Sequence, residues 1–249
     1  MKKVLLVVAY LFFLFFLMTF VSLKDEIIFI SRLNSNFVSE KTINNQKAFM
    51  ISKKLPTNWI KLTKDNDLQA QTIVISEDWD FYNHCGVDIN QIKATIVDYF
   101  VWNKKLRGAS TITQQLVKNL FLTNQRSFRR KIMELILALY LEKMVSKKKI
   151  LETYLNIIEY GNNLYGIGKS SKYYFNKSFN ELSVKEVAFM AMLLPNPKRY
   201  SESFRLKKLT PYADKTINQI IEKLVTARII SPEQAFVESL QQLNFTEIL

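Results

Sequence analysis

Residues 4–23 carry no charge, and no other stretch of this sequence limits the fold as tightly. At 1.5 Å rise per residue, a helix of that length reaches across a hydrocarbon core of about 30 Å. Lys2 and Lys3 precede the run, which favours a cytoplasmic N-terminus and puts everything after Lys24 outside the cytoplasm. A cleaved signal peptide is the competing reading. Against it, no A-x-A-like site follows the run, and the run is long for an h-region of about 7–15 residues. The expectation is a cytoplasmic residue set 1–3, an uncleaved transmembrane helix over 4–23, and one extracytoplasmic domain. The chain as a whole is 48% hydrophobic, enough for a real core, and has only 5 Gly and 5 Pro, which argues against a turn-rich β fold. Cys85 is the single cysteine, so no intrachain disulfide can staple it.

Past the anchor, residues 24–71 are mixed in character and read as a connector with short helices. Helical signals dominate from about Asp88. Residues 130–145 are apolar nearly all round, which predicts a buried central helix, with one polar stripe at Arg130, Glu134, Ala138 and Glu142. Ile150, Leu151, Tyr154, Leu155 and Ile158 mark a second, amphipathic helix. Ser183 with Glu186 forms a capping box, Pro195 closes that helix, and Ser231-Pro232 opens another. No strand-period run or hairpin signal of comparable strength is present. The fold is expected to be mainly α, with a domain over residues 72–200 and a helical extension over 201–249.

The chemistry concentrates in three places. Gly108-Ala109-Ser110-Thr111-Ile112-Thr113-Gln114-Gln115-Leu116-Val117-Lys118-Asn119 is dense in hydroxyls and amides, which suggests a surface that grips a polyhydroxylated or phosphorylated ligand. Ahead of it, Glu77-Asp78 precedes His84, the only histidine. An acidic helix N-cap is the plain alternative for that pair, and His84 could simply orient the acidic loop. Behind it, Glu134 sits among Ile132, Met133, Leu135 and Ile136, a costly position unless paired, and Arg130 and Lys131 are within reach to pair it. Residues 104–149 hold twelve Lys or Arg against two acids, which is most of the formal +13. For a translocated domain, an anionic lipid surface or a phosphate-bearing substrate fits that charge better than nucleic acid. Two separated carboxylates flanked by cations suit glycosyl transfer, in which one group takes a proton from an attacking hydroxyl and positive charge stabilises a departing anion. Gly166-Ile167-Gly168-Lys169-Ser170 is not a P-loop, since Asn163 falls where the first glycine belongs. No zinc or serine-hydrolase pattern is present.

Five ordered motifs carry a family resemblance over about residues 73–200. They are Glu77-Asp78-x-x-Phe81-x-x-His84-x-Gly86-x-Asp88, Gly108-x-Ser110-Thr111-Ile112-Thr113-Gln114-Gln115-x-x-Lys118-Asn119, Arg130-Lys131-x-x-Glu134, Ile150-Leu151-x-x-Tyr154-Leu155-Asn156, and Leu193-Leu194-Pro195-Asn196-Pro197. The chain resembles the peptidoglycan glycosyltransferases, the lysozyme-like glycosyltransferase family 51, and in particular their monofunctional, membrane-anchored members.

The resemblance implies a polymerase of lipid II at the bacterial cytoplasmic membrane, with its catalytic domain on the extracytoplasmic side. Glu77 would be the general base that activates the acceptor 4-hydroxyl, and attack on the growing chain would invert the anomeric carbon and release undecaprenyl pyrophosphate. Glu134 would be the second essential glutamate. Lys118, Arg126, Arg130 and Lys131 would hold pyrophosphate, and Ser110, Thr111, Gln114 and Gln115 would line the sugar cleft. Asp78, Phe81, His84 and Asn119 are carried over as substrate-binding residues. No cofactor or resident metal is required, although a divalent cation (Mg or Mn) is compatible with the pyrophosphate. The implied partners are lipid II, the nascent glycan strand and the membrane, with room for other cell-wall synthesis proteins and none for nucleic acid. Phe100, Val101 and Trp102 suit either the bilayer surface or the core. Ala109 and Asn176 stand where the family commonly has glycine. Residues 201–249 are too few for a transpeptidase domain, so no cross-linking activity is expected. A muralytic hydrolase and a catalytically silent membrane scaffold remain the alternatives.

Overall fold

The computed structural model describes residues 10, 23–43, 46–102, 110–122 and 127–246. The expected anchor therefore lies outside the described residues except for Tyr10 and Leu23. Among the described residues no helix is long and apolar enough to cross a membrane. The elements run in the order α1 (Lys24–Leu33), β1 (Phe37–Ile43), β2 (Gln46–Ser52), α2 (Asp67–Glu77), α3 (Ile89–Phe100), α4 (Ile112–Phe121), α5 (Phe128–Met144) and α6 (Lys147–Ile157). Then come the short pair β3 (Glu159–Gly161) and β4 (Leu164–Tyr165), α7 (Ile167–Phe175), α8 (Val184–Leu193), the single turns α9 (Pro197–Tyr200) and α10 (Glu202–Arg205), α11 (Pro211–Thr226) and α12 (Pro232–Leu240). The fold is mainly α, as the composition and periodicity predict.

The buried centre is α8, every residue of which is buried. Its two charged side chains are satisfied. Lys185 Nζ donates to the carbonyls of Ser239 (2.7 Å) and Gln241 (2.6 Å), and Glu186 closes the capping box with Ser183 and accepts from Lys177. Packing α2 and α11 on α8 builds one helical layer. A second forms where α4 lies between α5 and α6.

The central role predicted for residues 130–145 belongs to α8 instead. In α5 only Glu134, Leu137, Ala138 and Leu141 are buried, while Leu139 is 51% and Phe128 83% exposed. The stripe that reads as polar, with Glu134 and Ala138, is turned inward, because its carboxylates find cationic and hydroxyl partners there. Leu137 and Leu141 go in beside it, while Phe128, Leu139 and Met144 are left exposed.

Residues 24–71 are also more structured than a connector. Ile30 and Leu33 on α1 are fully buried, and α1 packs against α5. The next segment is an antiparallel hairpin, with Val38 opposite Ile51 and Glu40 opposite Phe49, packed by β1 on α6. Its alternation is diluted by Glu40, Lys41 and Lys47, which hides a strand period from sequence reading. Beyond the hairpin, the 56–63 loop is held on α6 by side chains of the fourth motif. Asn156 accepts from Ile60 N (2.7 Å) and donates to Ile60 O (2.8 Å), while Glu152 accepts from Trp59 Nε1 (3.0 Å) and Leu62 N (3.1 Å). Asn176 ends α7 at φ 53°, the left-handed conformation that explains why a glycine suits this position and why Asn is the next best residue.

The same loop explains Gly168. A Cβ there would sit 2.4 Å from the carbonyl oxygen of Asn58. We expect Gly168→Ala to lower the unfolding free energy by about 1–3 kcal/mol, read as a lower midpoint in urea melts. An unchanged midpoint would mean that the loop is not seated on α7.

Candidate active site

Glu77 is the last residue of α2, and Asp78 follows as its C-cap. A carboxylate at a helix C-terminus meets the negative end of the dipole, which disfavours ionisation. Asp78 is 1% exposed, so its charge needs full satisfaction. It is met from two directions. His84 Nε2 lies 2.9 Å from Oδ1, and the backbone N–H of Ile112 donates to Oδ2 at 2.9 Å. The N–H of Gly86 donates to His84 Nδ1 (3.1 Å), so Nδ1 is an acceptor and the proton sits on Nε2, donated to Asp78. Asp78 does face a helix N-terminus, as an acidic cap would. The helix is α4, 34 residues on, and not one that Asp78 itself begins.

The polar run is used differently from its sequence reading. Thr111 caps α4, accepting from Gln114 N (3.2 Å) and donating to Gly86 O (2.6 Å), and Gln114 Oε1 accepts from Thr111 N (3.0 Å). Thr113 donates to Glu142 (2.5 Å), which also accepts from Lys147 (2.7 Å). Thr111, Thr113 and Gln114 are buried, as are Phe81, fully, and Asp78. Of these, Thr111, Gln114, Phe81 and Asp78, together with His84, were expected to bind substrate. In the fold their polar atoms are taken by the protein, and they hold the site from beneath. Gly86 shows how close this packing is: at φ +85° it presses on α5, where a Cβ would lie 2.9 Å from Glu142 Cγ and 3.0 Å from Ala138 O.

What remains facing outward is a smaller set. Gln115 Nε2 donates to Glu77 Oε2 at 3.0 Å, and its Oε1 accepts from the Tyr154 hydroxyl at 2.8 Å. Lys118 is exposed, and Asn119 is half-buried, donating to Gln115 O (2.7 Å). Ser110 accepts from Lys131 Nζ (3.2 Å). Glu134 is 2% exposed and clamped, with Arg130 Nη1 on Oε2 at 3.3 Å and Lys131 Nζ on Oε1. Arg130 Nε is buried and has no hydrogen-bond partner among the described residues. Arg126 and Gly108 lie outside the described residues. Among the described residues no group of three or more His, Cys, Asp or Glu could hold a metal ion, and both oxygens of Glu134 are engaged by cations.

The two glutamates consequently have opposite environments. Burial raises the Glu77 carboxyl from 4.5 to about 7, and Asp78 pushes the same way, while the Gln115 amide and Lys223 act in the opposite sense. Glu134 has two cations in contact. Glu77 opens onto a cleft of about 550 Å³ whose walls include Ser76, Met192, Pro195, Tyr212 and Lys223. Pro195 gives the fifth motif a place in the site. Lys223 and Tyr212 come from α11, which sequence reading left without a role. The visible signal there was a Thr210-Pro211 helix start followed by an amphipathic stretch.

This chain belongs to the transglycosylase family, whose family model matches residues 44–225, and by that membership it is a glycosyl-transferring enzyme. Curated relatives agree in kind. It is 42% identical over 166 residues to the biosynthetic peptidoglycan transglycosylase of Shewanella amazonensis, covering 67% of this chain and 66% of that one. The protein of the same description from Marinomonas sp. is 39% identical over 178 residues, covering 70% of this chain and 79% of the relative. That from Acinetobacter baylyi is 40% identical over 162 residues, covering 63% and 72%. Among solved structures, penicillin-binding protein 1A from Haemophilus influenzae superposes with a TM-score of 0.33 at 20% identity, over 55% of this chain and 16% of that one, too slight a likeness to compare the folds element by element.

Two outcomes follow from these environments. Asp78→Ala leaves the His84 and Ile112 N–H groups unpaired in the interior and should cost about 2–4 kcal/mol in chemical denaturation, whereas Lys118→Ala, on the exposed face, should stay within about 0.5 kcal/mol. For Glu77 the folded state prefers the protonated form, so its contribution to stability is lost as pH rises from 4.5 toward 7. Glu77→Gln should therefore be more stable than wild type at pH 8, by at most about 3 kcal/mol and less where water reaches the carboxyl. The difference should vanish below pH 4.5, and thermal melts across that range read it directly.

Proposed function

We propose that this protein polymerises peptidoglycan glycan strands, transferring the lipid-linked growing chain onto the 4-hydroxyl of lipid II. The observation that carries the reading is the contrast between its two carboxyls. Glu77, with an amide donor and a carboxyl pKa near 7, is suited to take a proton from a sugar hydroxyl at neutral pH. The hydroxyl oxygen then attacks the anomeric carbon of the donor sugar as the bond to the pyrophosphate oxygen breaks. A single displacement of this kind inverts the anomeric centre. Negative charge grows on the departing undecaprenyl pyrophosphate, and Arg130, Lys131 and Lys118 are the cations available to receive it. The Nε of Arg130, which finds no partner among the described residues, supports that assignment, because a phosphate oxygen would satisfy it. Glu134 keeps Arg130 and Lys131 together against their mutual repulsion, and Ser110 and Gln115 line the sugar path.

The membrane supplies both substrates. The exposed run of Phe100 (77%), Val101 (65%) and Trp102 (65%) ends α3 and fits contact with the bilayer surface, and residues 4–23 fit an anchor that tethers the domain there. Purified protein with lipid II should yield glycan polymer and free lipid pyrophosphate. Glu77→Gln should lower that rate by about 10²–10⁴-fold with the fold intact. Undiminished polymerisation by the variant would refute the mechanism, and release of soluble muropeptides from cell walls would indicate a hydrolase instead.

A further inference from the structure

We propose that Tyr154 is a positioning residue for Glu77, its hydroxyl holding the Gln115 amide in the orientation that donates to the carboxylate. The proposal rests on Glu77 being the base. Tyr154 lies on α6 and Gln115 on α4, and the two helices pack together, so the contact is built into the core beneath the cleft. Tyr154 is fully buried, and burial holds its hydroxyl in the protonated state. Its one proton goes to Gln115 Oε1 at 2.8 Å, and the amide nitrogen then faces Glu77 Oε2 at 3.0 Å.

A glutamine amide can turn by half a rotation and exchange oxygen for nitrogen. Turned, it would set its carbonyl oxygen against the carboxylate, and the Tyr154 proton would lose its acceptor in the interior. The turned form suits only a protonated Glu77, whose O–H could donate to that carbonyl. Tyr154 therefore weights the amide toward the form that stabilises ionised Glu77, opposing the effect of burial. The other groups acting on Glu77 are Asp78 beside it, Tyr160 from β3 and Lys223 from α11. No hydrogen bond links any of these three to Gln115 or Tyr154 among the described residues. The hydroxyl can thus be removed without disturbing them directly.

The test is the pH dependence of kcat/KM for lipid II polymerisation by the full chain in detergent. Tyr154→Phe should move the acidic limb up by about 0.5–1 pH unit. The corresponding deficit is up to about 10-fold below the limb and shrinks as pH rises. A packing defect would lower the rate by the same factor at every pH. In a Gln115→Ala background the same substitution should move the limb no further. A limb that stays put or moves down in Tyr154→Phe, or moves as far in the Gln115→Ala background, overturns the proposal. Should Tyr154→Phe fail to fold, 3-fluorotyrosine at position 154 keeps the shape and donates more strongly. Its limb should move down, and a limb that stays overturns the proposal equally. Failure here differs from failure of the base assignment: loss of activity in Glu77→Gln with an unmoved Tyr154→Phe limb refutes only the positioning role.

Discussion

The buried carboxylate of Asp78 is the joint on which the site depends. It terminates α2, receives the first N–H of α4 and holds His84, so three segments meet at one charge. A charge with this little exposure is tolerable only when both oxygens are paired, and the pairing fixes where α4 starts relative to the end of α2. Glu77 and Gln115 are the neighbours of that joint on either side. Their 3.0 Å contact follows from it. The capping of α4 by Thr111 and Gln114 and the seat of Gly86 against α5 brace the same junction.

With the frame set, the two glutamates stand in different environments. Glu77 ends a helix, is largely desolvated and has one neutral donor, which leaves its proton exchangeable near neutral pH. Glu134 is clamped by Arg130 and Lys131, and its charge serves to gather cations. The cost of this arrangement falls on stability, since an ionised Glu77 opposes folding. Such a penalty is common where a group is tuned for proton transfer.

Much of this was legible in the chain. The glutamates, the cations and the order of the motifs identified the transglycosylase class, and Ser183, Glu186 and Pro195 marked the limits of the central helix. The polar run, expected to be a binding surface, is divided between exposed and buried side chains. Gln115 contacts Glu77, Ser110 contacts Lys131 and Lys118 is exposed, but Thr111, Thr113 and Gln114 satisfy backbone and side-chain groups inside. Nothing in a hydroxyl or amide tells whether its partner will be a ligand or the protein. The hairpin of β1 and β2 was hidden because Glu40 and Lys47 share a face with Val38, Phe49 and Ile51 and so break the alternation.

Residue type and short-range spacing were thus settled by the sequence itself: an α-rich domain, two glutamates of interest, a cationic stretch between them, and helix starts written in Ser, Thr and Pro. These features depend on interactions within a turn or two, so a linear reading can reach them. Tertiary structure alone decided which face of α5 turned inward, that Asp78 caps a helix far along the chain, that Lys223 of α11 stands by Glu77, and that Tyr154 reaches Gln115 from behind. Each of those depends on burial and on contacts between residues distant in sequence. Burial is set by the packing of whole helices against one another, which no local pattern encodes.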